Sequence, residues 1–218
     1  INPSHQFVTD GNYTVTLTTT DITGCAASSV QPIVILPCST TITIKCFIEG
    51  YLTGLGIMTP VLLNEGVSLN PNDVDSVTME LHDVMMPFNL IASATGMLKT
   101  DGSLSCTFNG MYYNNSYYIV VKHRNALETW SALPVNLNYM GSQALYYDFS
   151  SSPSKAYGNN QTQSFLLTAT FFSGDVNQDG AIDVFDYLLV EPDIVNGYST
   201  YNISNDIEME EYVLWEAK

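Results

Sequence analysis

Thr41-Ile42-Thr43-Ile44-Lys45-Cys46-Phe47-Ile48 alternates polar and apolar residues through its first six positions and stops at Glu49-Gly50. A strand turns successive side chains to opposite faces, so this spelling gathers Ile42, Ile44 and Cys46 on one side. The threonines and Lys45 fall on the other, and β-branched residues suit such a half-buried pleat. The same period recurs outward along the chain. Val74 to Leu81 places Val77, Met79 and Leu81 on one face, and Asn89–Ala94, Ser103–Phe108, Tyr117–Arg124 and Ser164–Phe171 read as further strands. Asn70-Pro71-Asn72-Asp73, Asp101-Gly102 and Asn109-Gly110 supply turn chemistry between them. Short strands about ten residues apart, with no amphipathic helix between them, predict a mainly β chain with a β-sandwich over 39–171.

The composition agrees with exposed sheet. Thr, Ser, Asn and Tyr are abundant, and the residues that solvate helices are scarce. Of 218 residues, 22 are acidic and 6 basic, for a net charge of −16. Phosphate backbones and anionic lipids would repel such a surface, which argues against nucleic-acid binding. No apolar run reaches membrane-spanning length, so membrane insertion is not expected. The chain opens at Ile1 with no secretory leader, and we read it as a mature or excised fragment of a secreted or cell-surface protein.

Cys25, Cys38, Cys46 and Cys106 form no CxxC pair and have no histidine spaced for a zinc set. In an extracellular chain they are expected to form disulfides. Three connectivities are open, and pairing within each region favours Cys25–Cys38 with Cys46–Cys106.

The segment from Asp175 to Asp186 changes the chemistry. Asp175, Asn177, Asp179, Asp183 and Asp186 stand at positions 1, 3, 5, 9 and 12, with Gly180 at 6 and Ile182 at 8. This is the spacing of an EF-hand calcium loop, in which alternate side chains turn inward around a hard cation. Gly180 permits the left-handed bend, and Ala181 is expected to donate its carbonyl. The expected metal ligands are therefore Asp175, Asn177, Asp179, Ala181, Asp183 and Asp186, and the expected ion is Ca2+. Mg2+ prefers a tighter octahedron and keeps its waters.

Sliding this loop forward by 25 residues gives a gap-free second copy. Asp175 falls on Thr200, Asn177 on Asn202, Asp179 on Ser204, Asp183 on Glu208 and Asp186 on Glu211. Asn202, Ser204, Asp206, Glu208 and Glu211 thus form a weaker second ligand set, with fewer charges. Two short helices, Phe185–Val190 and Glu210–Trp215, follow the two loops. They are expected to bury Phe185, Leu188, Leu189, Val213, Leu214 and Trp215 against one another.

Three resemblances follow from these strings. Gly174-Asp-Val-Asn-Gln-Asp-Gly-Ala-Ile-Asp183, closed by Asp instead of Glu, resembles a dockerin calcium repeat, which makes 172–218 a dockerin-like repeat pair. His5-Gln-Phe7, Gly11-Asn-Tyr13-Thr-Val15-Thr-Leu17 and Asp21-Ile-Thr-Gly24 resemble the C-terminal half of a PKD domain, an immunoglobulin-like sandwich, over 1–38. Tyr13 there resembles a tyrosine corner. Between them, Lys122-His123-Arg124-Asn125-x3-Thr129-Trp130-Ser131 resembles a module found before dockerin-like repeats in surface and secreted proteins of Bacteroidetes and related bacteria. Phe47-Ile-Glu-Gly-Tyr51 and Tyr147-Asp-Phe149 match it too. That family has no settled biochemical role.

The KHRN string admits a catalytic reading, with His123 paired to Glu128 or Asp148. Without a nucleophile at a strained turn or a spaced carboxylate pair, we favour a structural one. On that reading Arg124 pairs with a buried carboxylate and Trp130 packs an edge. Tyr112, Tyr113, Tyr146 and Tyr147 offer a carbohydrate platform, although tyrosines more often pack across strands. The overall expectation is a non-catalytic, calcium-binding structural or adhesive segment that contacts other extracellular modules or copies of itself, with assembly into a filament or matrix. A partner- or glycan-binding module of dockerin–cohesin type is one alternative, and an appendage of an enzyme whose catalytic domain lies elsewhere is the other. Val184-Phe185 takes the place where dockerins carry small or hydroxyl contact residues, which predicts burial inside this chain.

Overall fold

The computed structural model describes residues 4–54, 56–138, 145–164 and 167–196. The chain is mainly β. β1 (Gly11–Thr20) and β2 (Ala26–Ile35) form an antiparallel hairpin with its own two-stranded sheet. Next come β3 (Ser39–Lys45), β4 (Leu52–Gly54), β5 (Ile57–Met58) and a single helical turn, α1 (Val61–Asn64). β6 (Asp73–His82), β7 (Leu90–Lys99), β8 (Ser103–Asn109), β9 (Ser116–His123), β10 (Ala126–Trp130), β11 (Val135–Asn136) and β12 (Leu145–Asp148) follow. Two short strands, β13 (Thr162–Gln163) and β14 (Ala169–Thr170), precede the helix α2 (Val184–Asn196).

β10-β9-β6-β7, with β11 paired to β9, make the larger sheet, and β12-β3-β8 the smaller. β12 runs parallel to β3, while β3 and β8 are antiparallel. Val77, Met79, Leu81, Ile119 and Val121 of the first sheet share one buried cluster with Ile42, Ile44, Leu104, Cys106 and Phe108 of the second. Burying a large apolar side chain contributes about 1.5–3 kcal/mol, so this shared core carries the domain. The outward threonines do separate work. Thr41 meets the Thr107 hydroxyl at 2.9 Å and Thr43 the Ser105 hydroxyl at 2.8 Å across the β3–β8 pair.

β7 of one sheet lies against β8 of the other, and Gly96 marks the close approach. A Cβ at Gly96 would stand 2.5 Å from the Ser105 carbonyl oxygen and 2.8 Å from Cys106 Sγ.

In the N-terminal hairpin, the Tyr13 hydroxyl donates to the Thr9 carbonyl at 2.9 Å and its ring packs on Phe7 at 4.5 Å. Val15, Leu17, Val30 and Val34 remain exposed on its faces. Two strands bury little, and most of the hairpin lies open to solvent.

Several expectations need correction. Ser164–Phe171 is not one strand: β13 and β14 pair with each other across a turn in which Leu167 has φ 63°. The four cysteines are free thiols. Cys25 and Cys38 flank opposite ends of the ten-residue β2, about 33 Å of extended chain at roughly 3.3 Å per residue, far beyond disulfide reach. Cys106 pairs in register with Ile42, four residues along from Cys46. No helix among the described residues is long and apolar enough to cross a membrane.

Candidate functional site

The site is built on the turn between β9 and β10. His123 and Ala126 pair in register, which leaves Arg124-Asn125 as the two-residue connection. Beneath it lies Asp75, fully buried in β6. Asp75 Oδ2 accepts from Arg124 Nε at 2.7 Å and from His123 Nε2 at 3.1 Å, while Oδ1 accepts the Ser76 N–H at 2.6 Å. His123 Nδ1 lies 3.4 Å from the Asn125 N–H. Burial alone would raise the Asp75 carboxyl, but the hydrogen bond and charge of His123, joined by those of Arg124, outweigh it and hold it well below the usual carboxylate range. Arg124 therefore pairs with a buried carboxylate. His123 meets neither Glu128 nor Asp148: Glu128 binds Lys122 at 3.0 Å, and Asp148 accepts from the N–H and hydroxyl of Ser150.

Asn125 passes this order onward. Its side-chain amide donates to the Tyr51 hydroxyl at 3.1 Å, and its main-chain carbonyl accepts the Gly174 N–H at 2.8 Å. Neighbouring bonds hold the same segment. Leu127 N–H donates to the Phe172 carbonyl at 2.9 Å, Glu49 N–H to the Phe171 carbonyl at 3.0 Å and Gly50 N–H to Ser173 Oγ at 2.8 Å. The chain thus reaches Asp175 firmly tied to both sheets.

Asp175 and Asp186 are buried, whereas Asn177, Asp179, Ala181 and Asp183 are exposed. Asp175 accepts the N–H groups of Asp179 and Gly180, both at 3.2 Å. Asp186 accepts those of Val176 at 2.8 Å, Asn177 at 3.1 Å and Asp183 at 2.9 Å. Asn177 Oδ1 accepts the Asp179 N–H at 2.9 Å, and Asp179 Oδ1 accepts that of Ala181 at 3.0 Å. The loop bends through Gln178 at φ 59° and Gly180 at φ 86°, where glycine is the favoured residue.

Asp183 and Asp186 also serve α2. Asp183 Oδ1 accepts the Phe185 N–H at 2.8 Å, and Asp186 reaches back to the Asp183 N–H. This reciprocal arrangement is a capping box. It accounts for those two residues structurally, and it leaves Asp175, Asn177 and Asp179 to be explained.

Among the described residues none of the four loop aspartates has a basic ion-pair partner. Burial first, then the nearby charges of Asp186 and Asp179, outweigh the loop's amide hydrogen bonds and raise the Asp175 carboxyl above its ordinary value. No three His, Cys, Asp or Glu side chains converge there as a finished metal site among the described residues. The donors are all oxygen, the type that hard cations select. A carboxylate offers about four lone-pair sites. Asp175 uses two of its own and Asp186 three, so both retain oxygen capacity while the loop amides stay bonded. The second set, Asn202 to Glu211, lies outside the described residues, as do Val213, Leu214 and Trp215.

One surface expectation comes out differently. Val184 and Phe185 are not buried: they are 59% and 63% exposed, and Leu188 and Leu189 are exposed beside them. The four platform tyrosines are mostly spent on packing. Tyr112 packs edge-on to Phe108 and Tyr117, Tyr113 donates to the Ser39 carbonyl, and Tyr147 packs on Phe149. Of the set, Tyr146 alone is exposed.

Sequence reasoning missed Asp75, although a signal was present. Asp75 shares the parity of Val77, Met79 and Leu81, and a carboxylate on a core-facing position requires a buried partner. Compared with protein-family models, with curated proteins and with solved structures, the chain matches none.

Proposed function

We propose that this chain is a non-catalytic, calcium-binding structural segment of an extracellular or cell-surface protein, in which the 175–186 loop holds Ca2+ and stiffens the junction between the β core and α2. The supporting observation is the burial of Asp175 and Asp186 in one loop with no basic partner among the described residues. Two buried carboxylates repel one another and are costly to desolvate, and a divalent cation removes both penalties. Asp175, Asn177, Asp179, Ala181, Asp183 and Asp186 would hold the ion. All offer oxygen, the donor that Ca2+ selects.

In this reading residues 1–38 are the end of a PKD-type immunoglobulin-like domain, 39–171 an immunoglobulin-like β-sandwich module and 172–218 a dockerin-like pair. Calorimetric titration of the metal-free chain with Ca2+ tests it, with Mg2+ as the comparison. Calcium should bind more tightly than magnesium and raise the melting temperature, and Asp175→Ala should remove both effects. A melting temperature indifferent to a chelator sinks the reading, because a ion held only by the folded state must stabilise it.

A second reading, docking of a protein partner, is favoured by the exposed Val184, Phe185, Leu188 and Leu189 of α2. Exposed apolar helix surface is what groove-binding partners cover. Capture of such a partner that is lost on chelation would move the assignment there.

A further inference from the structure

On the outer face of the larger sheet, four aromatic rings from four separate segments enclose one pocket. Phe88 comes from the β6–β7 connection, Tyr118 from β9, Trp130 from β10 and Tyr157 from the segment after β12. The pocket holds about 260 Å³. Its rings meet at steep angles: Phe88 and Tyr118 at 90°, Tyr118 and Tyr157 at 86°, Phe88 and Trp130 at 75°, Tyr118 and Trp130 at 59°. The walls therefore turn both faces and edges to a shared space.

The walls are held in place. The Trp130 indole N–H donates to Glu128 Oε1 at 2.5 Å. His82 Nδ1 lies 2.8 Å from the Phe88 carbonyl, and the His82 ring packs on Trp130 at 4.6 Å. Ala156, beside Tyr157, is bridged to Ser131, and the Ala132 N–H donates to the Lys155 carbonyl at 2.8 Å.

We propose that this pocket binds the trimethylammonium group of an organic cation. Three observations carry the assignment. The lining offers π faces and two tyrosine hydroxyls, so a sugar would bring more hydroxyls than the walls can satisfy. An alkyl-clad cation needs no hydrogen bonds, and aromatic faces attract it through their quadrupoles. Glu128 accepts the indole N–H and so adds electron density to the Trp130 face. Second, the volume is below the roughly 300–1,000 Å³ of drug-sized sites, which suits one compact group and not an extended ligand. Third, the chain carries a net charge of −16, which favours the approach of cations. Lys122 does not oppose this, because it is tied between Glu80 at 3.2 Å and Glu128 at 3.0 Å.

The test is a titration of the calcium-loaded chain with choline, read by Trp130 fluorescence in a Trp215→Phe background. The neutral isostere 3,3-dimethylbutanol and methyl glucoside serve as comparisons. Choline should bind about tenfold more tightly than the isostere, because only the charge differs. Tyr157→Ala removes an exposed wall without touching the core and should weaken choline about two- to five-fold, while Tyr157→Phe keeps the affinity. Phosphatidylcholine vesicles distinguish the source. Co-sedimentation assigns the group to a lipid headgroup, and binding of free choline alone assigns it to a soluble cation. Equal affinity for the isostere, preference for the glucoside, or an unchanged Tyr157→Ala variant would overturn the proposal.

Discussion

The main-chain carbonyl of Asn125 accepts the N–H of Gly174 at 2.8 Å, which joins the KHRN turn directly to the residue preceding Asp175. The turn itself is held by Asp75, which both His123 and Arg124 contact. A buried ion network in the sheet and the start of the acidic loop are thereby one mechanical unit. Loosening the network should be felt at the loop, 100 residues further along the chain from Asp75.

Asp75→Asn should therefore destabilise the fold by about 1.5–3 kcal/mol, since it turns the charge-assisted hydrogen bonds from Arg124 and His123 into neutral ones. Chemical denaturation measures this. The pH dependence has a definite sign. The native carboxyl is held below its unfolded value of about 3.9, so its stabilisation is complete above that value and is lost as pH falls from there toward the native one. The acid limb of a melting-temperature profile should flatten in Asp75→Asn.

Gly180→Ala should weaken calcium binding without a steric clash. No atom lies within 4 Å of the Cβ it would gain, so the cost of about 1–2 kcal/mol comes from the backbone at φ 86° alone. Gly180→Asn should be milder, because asparagine tolerates the left-handed region. Calcium titration of the two variants side by side gives the comparison.

Gly96→Ala should cost about 1–3 kcal/mol by overpacking, because the added methyl meets the backbone oxygen of Ser105. Denaturant titration should show a lower midpoint with an unchanged slope.

Thiol labelling should divide the cysteines into two pairs. Cys25 and Cys38 are exposed and should react at once in the native, reduced chain. Cys46 and Cys106 are buried, with burial pushing the Cys106 thiol up to about 11 and Cys46 higher still. They should label only in denaturant.

Local chemistry was legible because its rules are local. Alternation in 41–46 and 74–81 gave β3 and β6 together with their inward faces, since a period of two is a property of the strand alone. The oxygen spacing from Asp175 to Asp186 and the helix after it were likewise written within a dozen residues. β10 and β12 escaped notice because Glu128-Thr129-Trp130 and Tyr146-Tyr147-Asp148 lack clean alternation, and pairing with neighbours defines them.

What the sequence by itself determined is a mainly β chain with an acidic loop of regularly spaced oxygen side chains: periodicity and spacing are short-range and survive without a fold. Only the tertiary structure decided which distant residues meet. It set Asp75 under Arg124 and His123, seated Gly174 on Asn125, left Phe185 and Leu188 open, and gathered Phe88, Tyr118, Trp130 and Tyr157 around one space. The physical reason is that strand order and sheet packing are fixed by the burial of whole faces, a sum over many residues that no single stretch of sequence contains.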